Sequence, residues 1–309
     1  DEMPTRPETL TFLGLDQPIP AEVNGRTNGV LNKPEWDAAY HPCPEAFPDE
    51  DVPTGDVIEF EDWSETSVYP GTKRQIQVYK PSGVLLDDTA VIVFNDGPAY
   101  LSRNGPVRAA HVLDVMHQRS EIAPTVAVFI SPGRPDARPE AAIDSYDKRQ
   151  SQRSLEYDSI TPDYGTFIFE EVLPFVQGEV GVTFSDDPCR RTVCGISSGG
   201  ICAFTAAWHH VDRCQRVLSH CGSFTDIWGG HNYPSLIRRS GRRPIRVFMQ
   251  SGENDVNSPF GNWPLANQAM ASAFDWAGYD YRFEFGTGGH NLSHGGAIFA
   301  DSLRWLWRA

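Results

Sequence analysis

Cysteine, basic residues and long apolar runs are all scarce in this chain. Its 309 residues include six cysteines and no Cys-x-x-Cys pair, which excludes a disulfide scaffold and offers no zinc-site spacing. No stretch approaches about 18 uninterrupted apolar residues, so no membrane span is expected. The 26 Lys and Arg are outnumbered by 41 Asp and Glu, and the formal net charge is −15. Because such a surface repels phosphate backbones, a nucleic-acid partner is not expected.

The rest of the composition is typical of a globular chain, with 40% hydrophobic and 22% charged residues. The length fits one large α/β domain or two average domains. The sequence begins at Asp1 with neither an initiating Met nor an apolar leader, which predicts a processed or truncated form. Cys189 and Cys214 each precede a predicted strand and could form a disulfide if those strands are neighbours, although two free thiols are the favoured state. The compartment and the oligomeric state stay open.

Residues 1–54 differ from the rest of the chain. They are rich in Pro, Gly, Asn and acidic residues and show little periodicity, so we predict an extended arm packed on the domain that follows. The segments 57–60 and 75–79 alternate as half-buried strands and predict an antiparallel opening. No repeat or linker divides residues 55–309, which are predicted to form a single catalytic domain.

Short, continuous apolar runs follow and are typical of strands buried on both faces. They lie at 90–94, 125–130, 191–194, 216–219 and 245–249, and a last strand is predicted near 280–285. Helical patterns lie at about 106–118, 163–177, 199–210, 234–240, 263–277 and 295–307. Strands that alternate with helices form right-handed βαβ units, so the sequence predicts a doubly wound, mostly parallel α/β sheet. In such sheets, reactive groups collect at the carboxyl ends of the strands.

A nucleophile motif follows one of these strands. The chain there is Gly195-Ile196-Ser197-Ser198-Gly199, and an Ala-rich helical stretch comes next. This is Gly-x-Ser-x-Gly in the strand–turn–helix context of a nucleophile elbow. The glycines are needed because larger side chains would collide with the adjoining strand or helix. Ser197 is therefore the predicted nucleophile, and Ser198, off the centre of the motif, is the alternative.

A serine nucleophile needs a base and an orienting acid, which follow it in this fold class in the order acid, then histidine. His290, in a glycine-rich turn directly after the last strand, is the best-placed base, and His294 is the alternative. Asp255 is the predicted acid because it follows the preceding strand and leaves room for a helix before the base. Glu253 and Asp226 are the alternative acids.

An oxyanion hole requires two N–H donors aimed at the developing alkoxide. One is predicted to be the N–H of Ser198. The other is expected in the loop after the strand that ends near residue 94, and because Pro98 has no N–H, the donor is either Gly97 or Ala99.

These motifs resemble the putative-esterase family of α/β-hydrolases, which groups enterochelin esterases, esterase D and feruloyl esterases. The likeness runs from about residue 57 to 308. It rests on the elbow, the Asp96-Gly97 loop, the 70–74 turn, the 153–158 segment, the Gly-x-x-Asp loop ending at Asp255 and the pair Gly289-His290. The resemblance implies an α/β-hydrolase fold and a Ser-His-Asp triad without a metal or other cofactor.

Two features depart from the family pattern. Pro98 occupies a loop in which related proteins often keep a residue able to donate. The 54 residues ahead of the domain are too few for the amino-terminal β-sandwich of enterochelin esterases proper, so cleavage of a trilactone siderophore is one option among several. The family pattern implies a hydrolase without naming the ester.

Other polar and aromatic residues are candidates for substrate contact. Arg149, Arg153 and Glu156 are expected either to grip an anionic or polyhydroxylated acyl group or to pin their loop through ion pairs. Trp228, His231 and Trp263 are candidate pocket walls, or else packing residues. The sequence thus predicts a cofactor-free serine hydrolase of small-molecule carboxylic esters. The alternatives are an amidase, peptidase or thioesterase on the same triad, and a non-catalytic binding protein of the same fold.

Overall fold

A nine-stranded mixed sheet runs through the structure. The structure is a computed structural model that describes residues 19, 22–27, 29–83, 87–135 and 151–309. In chain order the strands are β1 (Asp56–Trp63), β2 (Thr72–Lys80), β3 (Ala90–Asn95), β4 (Thr125–Ile130), β5 (Arg134–Pro135), β6 (Arg191–Ile196), β7 (Arg216–His220), β8 (Arg246–Gly252) and β9 (Asp280–Gly286).

The order across the sheet is β9-β8-β7-β6-β3-β4-β2-β1, and the short β5 pairs with β2. Neighbours from β9 through β4 are parallel. Strand β2 is antiparallel to β4 and to β1. The structure therefore confirms the predicted mostly parallel sheet with an antiparallel extension near its N-terminus.

Both faces of the sheet are buried, which is why its central strands consist of continuous apolar residues. In β3, Val91 and Val93 belong to one core cluster, and Ile92 and Phe94 belong to another. Because successive strand residues point to opposite faces, the two clusters lie on opposite sides of the sheet.

Helices cover both clusters. They are α1 (Pro34–Asp37), α2 (Gly97–Leu101), α3 (Ala109–Gln118), α4 (Gln152–Tyr157), α5 (Asp163–Thr166), α6 (Leu173–Val180), α7 (Ser198–His209), α8 (Tyr233–Arg239), α9 (Trp263–Ala277), α10 (Ser293–Ala297) and α11 (Phe299–Leu306). A π-helical segment, Phe167–Val172, joins α5 to α6. No helix in the described part of the chain is both long and apolar enough to cross a bilayer.

The predicted long elements are present, and the differences concern short ones. The stretch predicted as a single helix at 295–307 is broken at Ile298, whose φ of −110° and ψ of 11° are not helical. Helices α2 and α4 have only five and six residues, and the periodicity of so short a segment gives no usable signal.

The segment before β1 contains a hairpin of two very short strands, Glu22–Val23 and Arg26–Thr27. Helix α1 and a short 3₁₀ turn at Pro44–Ala46 follow. It touches the rest of the protein, since the Cys43 N–H donates to the carbonyl of Gly296 over 3.3 Å. The division at residue 54 remains a prediction.

All six cysteines are free. Strands β6 and β7 are neighbours, yet Cys189 and Cys214 form no disulfide, in agreement with the favoured state of two free thiols. The Cys189 thiol donates to Gln215 Oε1 at 3.3 Å, whereas the buried Cys214 thiol donates to the Arg191 carbonyl at 3.2 Å. The two sulfurs thus have different partners.

A buried ion pair joins β2 to α4. Two guanidinium nitrogens of Arg74 donate to both carboxylate oxygens of Glu156 at 2.7 and 2.9 Å, and neither side chain is exposed. Burial by itself disfavours the charged guanidinium, but the charge of Glu156 outweighs it and raises the pKa of Arg74. Gln152 Nε2 and the Gly133 N–H also donate to this carboxylate. Glu156 therefore has no access to a ligand, which corrects its candidacy for substrate contact.

Glu156→Ala should lower the free energy of unfolding by about 3–5 kcal/mol, because it leaves the Arg74 charge buried without a partner. The matched control is Arg134→Ala, which breaks an ion pair with Asp62 whose side chains are 57% and 61% exposed. That change should cost at most about 1 kcal/mol. Denaturant unfolding followed by circular dichroism measures both, and equal losses would contradict the buried-pair interpretation.

Candidate active site

Ser197 occupies the sharp turn between β6 and α7. Its φ of 60° and ψ of −123° lie outside the regions that L-residues ordinarily adopt. The Ser197 N–H donates to the His220 carbonyl at 2.8 Å, and its carbonyl accepts from the Ser223 N–H at 3.0 Å. The neighbouring strand β7 and the loop after it thus hold the strained residue in place, as a nucleophile elbow requires.

The glycines of the motif permit this close packing. A Cβ on Gly195 would overlap the backbone of Gly199, and a Cβ on Gly199 would lie 3.2 Å from the Cβ of Asn95. The Asn95 amide also donates to the Gly199 carbonyl at 3.0 Å. The elbow is therefore packed directly against the end of β3.

Three predicted side chains come together at the carboxyl ends of the strands. Ser197 Oγ lies 2.9 Å from His290 Nε2, and His290 Nδ1 lies 2.6 Å from Asp255 Oδ1. The Asp255 side chain is fully buried and that of His290 is 12% exposed. Asp255 also accepts hydrogen bonds from its neighbours, the Val256 N–H at 2.6 Å and the Ser251 hydroxyl at 3.5 Å. These contacts fix the carboxylate that faces the imidazole.

The alternative acids and base lie elsewhere. Glu253 is exposed, and Asp226 pairs with His231 at 3.1 Å, where the hydrogen bond to the carboxylate raises the pKa of the histidine. His294 is buried, stacked on the ring of Tyr40 at 4.2 Å.

His220 is a buried histidine beneath the elbow. Its Nδ1 lies 2.8 Å from the Tyr100 hydroxyl. Burial, with a smaller effect from His294, lowers the pKa of His220 to about 3. The imidazole is therefore neutral across the physiological range, and the backbone carbonyl of His220 accepts from the Ser197 N–H.

The loop after β3 supplies one free amide next to the elbow. Asp96 has a left-handed φ of 52°, and Gly97 is the first residue of α2, so its N–H has no partner within the helix. The Ala99 N–H donates to the Asp96 carbonyl at 3.0 Å and is engaged in that turn. Ser198 likewise is the first residue of its helix, α7. Of the two loop candidates, the geometry favours Gly97 as an amide donor.

Arg153 holds this loop through a bidentate ion pair. Its guanidinium donates to both Asp96 carboxylate oxygens at 3.0 and 2.7 Å, and it lies over the ring of Tyr157. The Tyr157 hydroxyl in turn accepts from the Asp96 N–H at 3.1 Å. Arg153 thus pins the loop, although 36% of its side chain remains exposed. Arg149 lies outside the described residues.

The three candidate pocket walls differ in position. Trp263 is buried, its ring edge-on to His290 at 6.2 Å, and its indole N–H donates to Ser223 Oγ at 3.1 Å. Trp228 is half-buried and packs against a small apolar cluster that includes Trp263. His231 is exposed and engaged with Asp226.

Sequence reasoning missed two residues that contact the elbow. Ser223 Oγ lies 3.2 Å from Ser197 Oγ, and the buried Asp158 accepts from the Ser198 hydroxyl at 3.0 Å. Ser223 had a usable signal, because it follows β7, the strand next to the elbow strand. Asp158 lies in the 153–158 segment that carries the family resemblance, but no local pattern links it to Ser198, which is 40 positions away.

Cys221, Asp255 and His290 place three potential metal-ligand atoms within 4.8 Å of one another. Their chemistry is poorly matched to a metal, however. His290 Nδ1 is already engaged with Asp255, and burial raises the pKa of the Cys221 thiol well above its usual value. A protonated thiol and an engaged imidazole nitrogen are not available ligands.

The fold and the site together define an α/β-hydrolase, as the sequence predicted. Residues 67–305 match the family model described as putative esterase. The chain therefore belongs to the putative-esterase family, which confirms the predicted resemblance.

Individual relatives agree with this family. The iron(III) enterobactin esterase of Dickeya dadantii (strain 3937) is 30% identical in an alignment of 183 residues that covers 53% of this chain and 39% of that protein. The enterobactin esterase structure from Shigella flexneri, obtained with enterobactin, has a TM-score of 0.62 at 22% identity and covers 87% of this chain and 61% of that one. The chain thus spans less than two thirds of the length of both enterobactin esterases.

A ferulic acid esterase structure is similar over nearly its whole length. It has a TM-score of 0.61 at 16% identity, and the likeness covers 82% of this chain and 99% of that one. At such identities the structural likeness supports the shared α/β-hydrolase fold.

Proposed function

We propose that this protein is a serine esterase that uses Ser197, His290 and Asp255 through an acyl-enzyme intermediate. The observation that carries the proposal is the continuous hydrogen-bonded chain from Asp255 through His290 to Ser197 Oγ, on an elbow with strained backbone. Esters are favoured over amides, peptides and thioesters because the relatives are named as esterases of enterobactin and ferulic acid. A protein that only binds a ligand would not require these three side chains to be joined by hydrogen bonds.

The roles follow from the geometry. His290 Nε2 takes the hydroxyl proton as Ser197 Oγ attacks the ester carbonyl, and Nδ1 stays hydrogen-bonded to Asp255, which stabilises the imidazolium. The proton then passes to the leaving alcohol. Water, activated by the same imidazole, attacks the acyl-enzyme and regenerates Ser197. These reaction steps use only groups of the protein, the ester and water, so the proposed mechanism requires no cofactor.

The developing oxyanion is stabilised by the N–H groups of Ser198 and Gly97. Each is the first amide of a helix, where N–H groups lack intrahelical partners and the helix dipole favours negative charge. A donor of this kind is worth about 2.7–4 kcal/mol of barrier. Arg153 contributes indirectly, because it holds Asp96, the residue just before Gly97.

Ser223 contributes a hydrogen bond to the nucleophile oxygen itself. Its Oγ accepts from the Trp263 N–H at 3.1 Å and lies 3.2 Å from Ser197 Oγ. Because the Ser197 hydroxyl gives its own proton to His290 Nε2, Ser223 is the donor in this pair. During deacylation Ser197 Oγ is the leaving group and gains negative charge, so a donor at this position stabilises that step.

Ser197→Ala is the primary test of the proposed function. The wild-type protein should hydrolyse p-nitrophenyl acetate and be labelled by a fluorophosphonate, whereas the variant should lose the label and at least about a thousandfold of turnover. Circular dichroism controls for folding. Wild-type-like turnover in the variant would overturn the assignment, and absence of turnover and labelling in the wild type would favour a binding protein. Enterobactin and feruloyl esters are the first substrates to compare.

Asp255→Asn should reduce turnover about ten-thousandfold, because an amide at this position favours the wrong imidazole tautomer. The matched controls are Glu253→Gln and Asp226→Asn, since the first residue is exposed and the second pairs with His231. Both should retain turnover within about threefold, consistent with ordinary surface substitutions. Steady-state kinetics ranks the three variants, and a larger loss in either control would disprove the acid assignment.

Ser223→Ala should slow deacylation about tenfold or more, since a hydrogen bond to a developing charge is worth roughly 1.5–3 kcal/mol. Pre-steady-state kinetics with p-nitrophenyl acetate should then show a larger burst followed by a slower steady state. The matched control is Ser219→Ala, a buried serine on β7 whose hydroxyl finds no hydrogen-bond partner in the described part of the chain. Identical kinetics in the two variants would exclude a direct role for the Ser223 hydroxyl.

A further inference from the structure

The loop that carries His290 is covered by residues from the opposite end of the chain. Strand β9 ends at Gly286 and α10 begins at Ser293, so the loop of residues 287–292 has no regular structure of its own. Residues 32–40, which we name the N-terminal strap, lie against it and include the short helix α1. More than 240 positions separate the strap from the loop in sequence.

Asp37 is the centre of the strap's contact. Its carboxylate accepts from the Gly289 N–H, at 3.3 and 3.4 Å to its two oxygens, and from the Asn291 side-chain amide at 2.8 Å. Asn291 is held in this orientation because its Oδ1 accepts from the Ser293 N–H at 2.9 Å. One carboxylate thus binds the residues immediately before and after His290.

Further contacts extend along the loop. The Tyr40 hydroxyl accepts from the Thr287 N–H at 3.0 Å, and the Thr287 hydroxyl donates to the Trp36 carbonyl at 3.0 Å. The Asn32 amide donates to the carbonyl of His290 itself at 3.3 Å. The strap therefore bonds with the backbone of the catalytic histidine and with the loop on both sides of it.

Gly286, the last residue of β9, and two glycines of the loop allow the strap to approach closely. A Cβ on Gly286 would overlap the Tyr40 hydroxyl, one on Gly288 would lie 2.9 Å from Asp37 Oδ1, and one on Gly289 would lie 2.6 Å from Asn32 Oδ1. The strap thus fills the space that side chains would otherwise occupy, and such flexible residues need an outside constraint to hold one conformation.

The other side of the loop rests on the loop that carries the acid. The side-chain amide of Asn254 donates to the Thr287 carbonyl at 2.7 Å, and the backbone N–H of Asn254 donates to the Gly288 carbonyl at 3.3 Å. The histidine loop is therefore held between the acid loop and the strap. A displacement of about 1 Å at the imidazole would lengthen both triad hydrogen bonds, and misplacement of that size can cost about a hundredfold in rate.

We propose that Asp37 is a positioning residue that holds His290 in line with Ser197 and Asp255, an inference that rests on the proposed function. It acts through the loop and touches neither the substrate nor the reacting atoms. Asp37 thereby affects catalysis from outside the hydrolase sheet, through its contacts with the histidine loop.

The test compares Asp37→Ala with Glu35→Ala, which removes an exposed carboxylate from the same short helix and therefore the same charge. Asp37→Ala should lower kcat by about ten- to a hundredfold with KM changed less than about twofold, and should slow fluorophosphonate labelling in parallel. Glu35→Ala should match the wild type in kcat, in KM and in the rate of labelling. Asp37→Asn retains one acceptor oxygen and should recover part of the loss.

A spectroscopic readout separates positioning from simple stability. The downfield proton resonance of the His290–Asp255 hydrogen bond, assigned by its loss in Asp255→Asn, should broaden or vanish in Asp37→Ala and persist in Glu35→Ala at temperatures well below unfolding. This measurement does not depend on any substrate. If turnover fails but the resonance behaves as stated, the proposed function falls and the strap's role stands.

Tyr40→Phe serves if Asp37→Ala does not fold. It keeps the ring stacked on His294 and removes only the oxygen that accepts from Thr287. The same loss of kcat and of the resonance, in smaller measure, supports the proposal. The opposite result is a folded Asp37→Ala or Tyr40→Phe protein with wild-type kcat and an unchanged resonance. If Ser197→Ala is inactive at the same time, that result would overturn the strap's role and leave the esterase assignment intact.

Discussion

The register of four parallel strands sets the positions of the proposed catalytic groups. Ile196 pairs with His220, His220 with Gln250, and Gly252 with Gly286, so β6, β7, β8 and β9 end close to one level. The nucleophile, the acid and the base each follow one of these ends. A slip of one residue would turn side chains to the opposite face of the sheet, so the two buried cores that enforce the register also keep the site in alignment.

Three non-glycine residues that directly follow strands β3, β6 and β7 have positive φ angles. Asp96, Ser197 and Cys221 have φ values of 52°, 60° and 47°. Each such conformation costs of order 1–3 kcal/mol and persists only where its surroundings determine it. The bonds from Ser197 to His220 and Ser223, and from Asp96 to Tyr157 and Arg153, provide that determination. The strain therefore belongs to the geometry of the site and is offset by contacts with neighbouring strands.

Most of the sheet and the three central residues could be predicted from sequence because their signals are local. Strand β4 needed only an apolar run, Ser197 a five-residue motif, and His290 its place after the last strand. Spacing along the chain favoured Asp255 over Glu253 as the acid, and the contact between Asp255 and His290 supports that assignment.

The remainder depends on contacts between distant parts of the chain. The Arg74–Glu156 pair spans 82 positions, and the Asp37–Gly289 contact spans 252. No periodicity or motif reports such a contact. For the same reason the sequence left Glu156 open between substrate contact and an ion pair. It also left a Cys189–Cys214 bridge open, because neighbouring strands do not by themselves bring two sulfurs together.

The strap also has a consequence for where this domain can be cut. Residues 55–309 contain every strand of the main sheet and would look like a complete hydrolase domain in an alignment. A protein trimmed to that boundary would leave Gly286, Gly288 and Gly289 with open space where the strap had been. Because glycine loses more conformational entropy on folding than any other residue, the freed loop would gain entropy by leaving its ordered conformation. If Asp37 positions His290 as proposed, the smallest functional unit of this protein is larger than its sheet, and the glycines near residue 288 determine where its N-terminal boundary lies.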